Sequence, residues 1–239
     1  MEKNNHLIKV LELRNYLLKP NTTATFSRYF NEHFVAPMNA LGGYTLGQFC
    51  INGVNDRFVW LRGFTDMDAR LKFLNDFYIN SRVWKAFGPG ANDMMINSDN
   101  VYLLRPLNNY TSSAEQTDWI NSNILKRSKG VTVVDFYICN STLDKVIDLF
   151  NTSYLSFLNT LDIEDITCWV SEMQPNDFPQ LPVFQDKNLL VTITTYNDEH
   201  EYKIKQEQLN LMPNELRNRM LRLITTQSNL ILYPCDNAL

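Results

Sequence analysis

Residues 57–64 read RFVWLRGF and residues 8–17 read IKVLELRNYL, and these two stretches decide the fold. Both alternate with the period of two that indicates a β-strand. In the earlier stretch, one face carries Leu11 and Leu13, whereas the other carries Val10, Glu12, Arg14 and Tyr16. In the later stretch, one face carries Phe58, Trp60, Arg62 and Phe64. The alternation therefore predicts two strands, each with charged and aromatic side chains on one face.

Around these strands, the first half shows the order strand, helix, strand, strand, helix, strand. A helix is predicted to begin after Thr22, which can cap it, and to end near Leu41 before Gly42. Asp66 is the corresponding cap of the second helix. The other predicted elements are a strand at 44–51, a turn at 52–53, an irregular segment at 79–98 and a strand at 101–105.

The second half repeats this order more faintly. Thr142 and Asp198 cap its two helices, in the positions that Thr22 and Asp66 hold in the first half. Strands are predicted at 131–138, 166–170, 189–196 and 230–233, and a loop at 175–182. A repeat this long indicates a duplicated domain, with units at 1–106 and 130–239 and a polar linker at 107–129 that includes a helical turn near Trp119.

Each unit thus has the strand and helix order of a ferredoxin-like fold, in which helices cover one face of an antiparallel sheet. The other face also needs cover, and we expect it to be the one that carries Phe58 and Trp60. Two units in one chain can pack these faces together. The predicted class is therefore α+β, with tandem ferredoxin-like units that form a pair resembling a dimeric α/β barrel.

Composition and motifs exclude several classes of function. The chain of 239 residues has 22 basic and 26 acidic residues, a balance that does not favour a nucleic-acid partner or an anionic membrane surface. It lacks a glycine-rich phosphate loop, a nucleophile elbow and a local cluster of histidines and carboxylates. The sequence therefore predicts no cofactor and no metal site.

The chain start and the cysteines point to a cytoplasmic protein. Residues 1–10 lack the apolar core of a signal peptide, and no stretch approaches the roughly 20 apolar residues of a membrane span. Cys50, Cys139, Cys168 and Cys235 are widely spaced, and each lies in or at the end of a predicted strand. We expect all four to be buried structural thiols.

Five fragments in order resemble the NIPSNAP family, over roughly residues 8–106. They are ELRNY at 12–16, GQF at 47–49, RFVWLRGF at 57–64, VWKA at 83–86 and SDNV at 98–101. The resemblance implies a fold of the dimeric α/β-barrel group. In the second half, Thr192 and Thr194 stand where Trp60 and Arg62 would be expected, so the chain resembles a tandem member with a degenerate second half. Relatives of this fold include cofactor-independent monooxygenases, haem-degrading enzymes and ligand-binding proteins, so the fold does not choose among them.

The charged face of the first unit is the first candidate site. Glu12, Arg14, Trp60 and Arg62 can converge there because the first and third strands are neighbours in a ferredoxin-like sheet. Tyr16 and Gln48 are expected on the same face. One reading is a closed ion pair of Glu12 with an arginine that joins the two sheets. The other is that two arginines share one acid, so that Arg14 or Arg62 can bind a carboxylate or an enolate. Arg62→Met separates the two readings, by loss of stability or by loss of binding.

His33 and the segment 79–98 are the other candidates. His33 lies on the apolar stripe of the first helix and is either a packed histidine or a general base. In the second case, His33→Ala abolishes turnover. Trp84, Lys85 and Asn92 belong to a segment that is either a wall of a cleft or a packed cover of the sheet edge.

Two main hypotheses for function follow, and a third is weaker. The first is a binding module for a small aromatic or apolar molecule. The second is a cofactor-independent monooxygenase that acts on an activated aromatic or enolisable substrate, with an arginine at the developing oxyanion. The third is an interaction protein with fully packed faces. A monomer with an internal pseudo-dimer and a homodimer both remain open.

Overall fold

A computed structural model of the chain describes residues 8–107, 130–140 and 142–235. Within these residues there are nine strands and six helices. The strands are β1 Val10–Leu18, β2 Tyr44–Ile51, β3 Arg57–Phe64, β4 Met95–Asn97, β5 Val101–Pro106, β6 Val131–Cys139, β7 Ile166–Ser171, β8 Leu189–Tyr196 and β9 Ile224–Pro234. The helices are α1 23–40, α2 67–80, α3 Arg82–Met94, α4 143–160, α5 Glu199–Leu209 and α6 Asn214–Leu223.

Eight strands close into an antiparallel barrel. Their order is β3, β2, β9, β6, β8, β7, β5, β1, and pairing of β1 with β3 completes the ring. The short β4 adds to the end of β1. The first-half strands therefore run in the order β2, β3, β1, β5, and the second-half strands in the order β7, β8, β6, β9. The two groups meet at β2–β9 and at β5–β7, where only three residue pairs join each seam. The α+β class and the barrel are confirmed.

The barrel interior is filled by the apolar face of the strands. Leu11 and Leu13 of β1 lie there, as expected from the alternation, together with residues from all the other barrel strands, among them Val59, Leu61, Leu104, Phe136, Trp169, Val191 and Leu232. Because these side chains are close-packed and bear almost no polar atoms, the interior is a core and not a ligand channel.

The expectation that Phe58 and Trp60 face the opposite sheet is wrong. Both rings pack outside the barrel, under α1, where Phe30 lies 4.7 Å from Trp60 and 5.3 Å from Phe58 between ring centroids. The physical reason is the charge on this face. Glu12 and Arg62 share it, and a purely apolar face is the better filling for a closed barrel.

The segment 79–98, which is predicted to be irregular, holds the end of α2, the helix α3 and the strand β4. The side chain of Ser81 accepts hydrogen bonds from the N–H groups of Val83 and Trp84 and so begins α3, which continues through Pro89 to Met94. Gly88, which precedes Pro89, allows the Trp84 ring to pack closely against the helix backbone. A Cβ at Gly88 would lie 2.8 Å from the Trp84 ring.

Two of the four predicted helix caps, Asp66 and Asp198, are confirmed, whereas Thr22 and Thr142 make no side-chain cap hydrogen bond within the described residues. Asp66 accepts a hydrogen bond from Ala69 N at 2.7 Å, and Asp198 accepts one from Glu201 N at 2.8 Å. Thr22 precedes α1 but caps nothing, because its hydroxyl donates back to Lys19 O.

Two of the four cysteines are not free thiols. Cys50 of β2 and Cys235 after β9 form a disulfide, whereas Cys139 and Cys168 are free and buried as expected. The partners are 185 positions apart, and only the β2–β9 seam brings them together.

The predicted linker at 107–129 and the helical turn predicted near Trp119 lie, beyond Leu107, outside the described residues. Among the helices that are described, none combines the length and apolar character that crossing a membrane requires.

Candidate functional site

A buried cluster of ions lies under the helices of the first half. The carboxylate of Glu12 accepts hydrogen bonds from three guanidinium groups: Arg14 Nη1 at 2.7 Å, Arg62 Nε at 2.9 Å and Arg70 Nε at 2.7 Å. All four side chains are at most 1% exposed. Burial alone raises the pKa of Glu12, but the three guanidiniums, Arg62 foremost, outweigh it and hold this pKa far below its ordinary value.

The sheet register sets this geometry. Glu12 is directly opposite Arg62 in the β1–β3 ladder, and Arg14 is opposite Trp60. Aromatic rings surround the guanidinium of Arg62, which lies 4.9 Å from the centroid of Phe73 and 5.1 Å from that of Trp60. These contacts hold the cations in fixed positions.

Arg70 and Asp177 complete the cluster, and the sequence reasoning missed both. Arg70 comes from α2 and donates from Nη1 to Asp177 at 3.0 Å. Arg70 lies three positions after Met67, on the face of α2 that is buried, and this helical spacing was the available signal. No local sequence pattern indicates that Asp177 contacts Arg70, because Asp177 belongs to the irregular segment between β7 and β8.

That segment, residues 172–184, is here called the strap. It begins where Glu172 N donates to Leu103 O and returns to β5 where Phe184 N donates to Val101 O. Phe178 is buried in the hydrophobic core of the first half, at 4% exposure. The second half of the chain therefore supplies part of the first half's site.

A cavity of about 310 Å³ lies beside the ion cluster. It is bounded by β1, α2, α3 and the strap, and Arg14, Tyr16, Tyr78, Trp84, Phe178 and Leu181 are among its lining residues. A smaller space of about 30 Å³ shares Tyr16, Tyr78 and Trp84 with it and reaches Trp60. The indole N–H of Trp60 is buried, and it has no hydrogen-bond partner among the described residues.

The structure brings several of the predicted site residues to this cavity. Arg14, Tyr16, Trp84 and Asn92 line it, and Trp60 lines the adjoining space. Glu12 and Arg62 lie in the ion cluster, and Arg62 Nη1 donates to the hydroxyl of the lining residue Tyr78. Each interpretation of the charged face thus agrees with one feature of the structure. Arg62 forms a buried ion pair with Glu12, and Arg14 lines the cavity.

The structure does not bring the other predicted residues to the cavity. Gln48 donates to the side chain of Asn31 at 2.6 Å, and Lys85 is exposed on α3. His33 lies against α3, where its ring stacks on Phe87 with 3.9 Å between centroids. A π-helical turn at Asn31–Val35 lies within α1, whose core-facing residues are Phe26, Phe30, Phe34 and Met38, and His33 lies off this stripe.

A larger cleft of about 820 Å³ lies elsewhere, along the β2–β3 turn and the disulfide. Its lining includes Asn52, Val54, Glu199 and Tyr233, and it contains none of the clustered arginines. The smaller cavity is the better candidate because fixed charges and aromatic rings converge on it. Within the described residues, no group of histidines, cysteines and carboxylates could hold a metal ion.

Comparisons with known proteins support the fold. No family model matches the chain, and no curated protein matches it. A solved structure from Fusobacterium nucleatum, provisionally described as a monooxygenase, is 8% identical, with 95% of this chain and 93% of that chain covered and a TM-score of 0.60. An anthrone oxidase-like protein is 9% identical, with 95% and 92% covered and a TM-score of 0.57. A NIPSNAP family protein from Agrobacterium tumefaciens is 18% identical, with 42% of this chain and 94% of that chain covered and a TM-score of 0.38.

Proposed function

We propose that this protein binds a small, largely aromatic organic molecule in the cavity beside Arg14. The observation that carries the proposal is the cavity itself, which opens between helices and sheet in an otherwise close-packed first half. Its volume of about 310 Å³ is at the lower end for small-molecule sites. Trp84, Tyr16 and Phe178 are among its lining residues, and aromatic rings favour a flat apolar ligand.

The proposal extends to the organisation of the chain. The strand orders β2, β3, β1, β5 and β7, β8, β6, β9 support two tandem ferredoxin-like units, at 1–106 and 130–239 with a linker at 107–129. In this arrangement the second unit takes the place of a partner subunit, and its strap closes the site of the first. A monomer with an internal pseudo-dimer is then sufficient to form the site.

Native mass spectrometry of freshly purified protein, with a denatured control, tests the binding proposal. We expect a retained small molecule that is lost on denaturation. Leu181→Trp should fill the cavity from the strap and abolish retention. Val54→Trp, on the wall of the larger cleft, is the matched control and should leave retention unchanged. Retention that survives Leu181→Trp but not Val54→Trp would move the site to the larger cleft.

The alternative is a cofactor-independent monooxygenase that acts on an activated aromatic or enolisable substrate. The full-length likeness to proteins described as a monooxygenase and as anthrone oxidase-like favours it. In such a reaction a substrate CH₂ group becomes C=O, and the second oxygen atom of O₂ leaves with both hydrogens as water. Arg14, supported by Arg62, would stabilise the substrate enolate.

Oxygen uptake with an enolisable anthrone-type substrate distinguishes the two functions. Oxygen uptake by the unmodified protein that is lost in Arg14→Gln favours the enzyme. If the unmodified protein binds the substrate measurably but consumes no oxygen, the binding module is favoured. His33 is the proposed base, and His33→Ala should then abolish turnover. Because His33 stacks on Phe87 outside the cavity lining, retained turnover would remove it from the mechanism.

A further inference from the structure

The ion cluster beside the cavity has an unbalanced charge. Among the residues that the structure describes, Arg14, Arg62 and Arg70 form ion pairs with two carboxylates, Glu12 and Asp177. Three cations against two anions leave one positive charge in a region where Glu12 and the arginines are almost fully buried. Such a charge is costly unless an anion neutralises it.

Two phenol groups on the cavity wall have a hydrogen-bond donor to spare. Arg14 Nε donates to the hydroxyl oxygen of Tyr16 at 2.7 Å, and Arg62 Nη1 donates to that of Tyr78 at 3.1 Å. Each hydroxyl oxygen is thereby used as an acceptor, and its own hydrogen remains to be donated.

The adjoining space adds a third donor of the same kind. The indole N–H of Trp60 has no partner in the part of the chain that the structure describes, although Trp60 is only 1% exposed. Burial also raises the pKa of Tyr16, so its hydroxyl stays protonated at neutral pH. The cavity is therefore lined by two hydroxyl groups and Arg14, and the adjoining space is lined by Trp60, whose N–H is unpaired among the described residues.

We propose that the ligand of this cavity is an anion, an aromatic carboxylate or phenolate whose charged oxygen lies against Arg14 and the hydroxyls of Tyr16 and Tyr78. This inference rests on the proposed binding function and narrows its ligand class. The aromatic body of the ligand lies between Trp84 and the strap residues Phe178 and Leu181. Charge-assisted hydrogen bonds to the oxygen then replace the missing counter-charge of the cluster.

Calorimetric titration with two probes of nearly equal shape tests the inference. The probes are 1-naphthoate, an anion, and 1-naphthamide, its neutral counterpart. We expect naphthoate to bind the full-length protein about tenfold or more tightly than the amide, the discrimination that one charge-assisted contact provides.

Two variants locate the anion. Arg14→Gln removes the surplus charge but leaves Glu12 paired with Arg62 and Arg70, and it should bring the two affinities within about twofold of each other. Tyr78→Phe keeps every ion pair and should weaken naphthoate binding by about three- to tenfold. Tyr29→Phe is the matched control, because its hydroxyl donates to Phe87 O away from the cavity, and it should change nothing.

The outcomes separate this inference from the proposed function. Equal affinities of the two probes for the unmodified protein would overturn the anion and leave the binding site intact. Tighter naphthoate binding that Tyr78→Phe does not alter would place the anion elsewhere and also overturn the inference. If neither probe binds, the proposed function itself fails. Near-ultraviolet circular dichroism of each variant verifies that it is folded.

Discussion

Glu12 and Arg62 stand directly opposite each other on β1 and β3, and Arg62 Nε donates to Glu12 Oε2 over 2.9 Å. Arg14 and Arg70 bind the same carboxylate. One acid thus holds three cations from two strands and a helix. Removal of one partner from a buried ion pair is far more destabilising than replacement of the whole pair, because it leaves a charge without compensation.

Glu12→Gln should therefore reduce the free energy of unfolding by about 3–5 kcal/mol. Urea denaturation followed by tryptophan fluorescence measures this loss. The exposed pair of Lys72 and Asp76 provides the control, and Asp76→Asn should leave the midpoint almost unchanged. A Glu12→Gln protein as stable as the parent would show that the arginines do not depend on this carboxylate.

The same residue predicts a loss of stability in acid. The pKa of Glu12 is lowered in the folded protein, so the unfolded chain binds the proton more tightly. The stabilisation is fully present above the ordinary glutamate pKa of about 4.3 and declines as the pH falls below it. Denaturation midpoints measured from pH 6 to pH 2 should fall more steeply for the parent than for Glu12→Gln.

Much of this site could be predicted from the sequence, because it is built on neighbouring strands. Alternation put Glu12, Arg14, Trp60 and Arg62 on shared faces, and the ferredoxin-like order made the two strands adjacent. The sequence could not show that helix α1 packs on that face, because alternation identifies the two faces of a strand but not the layer that packs on each of them. The contact between Asp177 and Arg70 could not be predicted either, because the two residues are 107 positions apart and no local pattern relates them.

The strap is predicted to stabilise the first half, although it belongs to the second. Phe178 is 4% exposed among first-half residues, so Phe178→Ala should reduce the free energy of unfolding by about 3–5 kcal/mol. Phe184→Ala, at a strap position that is 48% exposed, is the control and should cost much less. Thermal unfolding of the two variants measures the difference. Equal effects would mean that the strap is not packed as described.

The disulfide is predicted to hold the β2–β9 seam, where only three residue pairs join the halves. Cys50→Ser should reduce the free energy of unfolding by about 2–5 kcal/mol, and a reductant should then have no further effect. A thiol assay on the denatured, unreduced protein should detect two free thiols, from Cys139 and Cys168. Detection of four thiols in protein purified from cytosol would contradict the Cys50–Cys235 disulfide in that compartment. It would agree with the expected cytoplasmic location, since disulfides persist in oxidising compartments.

Asp135 of β6 should have the opposite pH dependence to Glu12. Burial, opposed by a hydrogen bond with Gln227, raises the pKa of Asp135 to about 6. The folded protein therefore holds this proton more tightly than the unfolded chain, whose aspartates have a pKa of about 3.9. Stability is lost as the pH rises from about 4 through 6, because burial disfavours the charged form.

Asp135→Asn should accordingly stabilise the protein by about 1–3 kcal/mol at pH 8 and change little at pH 4, where the carboxyl is already neutral. Urea denaturation at the two pH values measures the difference. The exposed Asp148 on α4 is the control, and Asp148→Asn should show no such dependence on pH. An equal gain at both pH values would assign the effect to packing instead of charge.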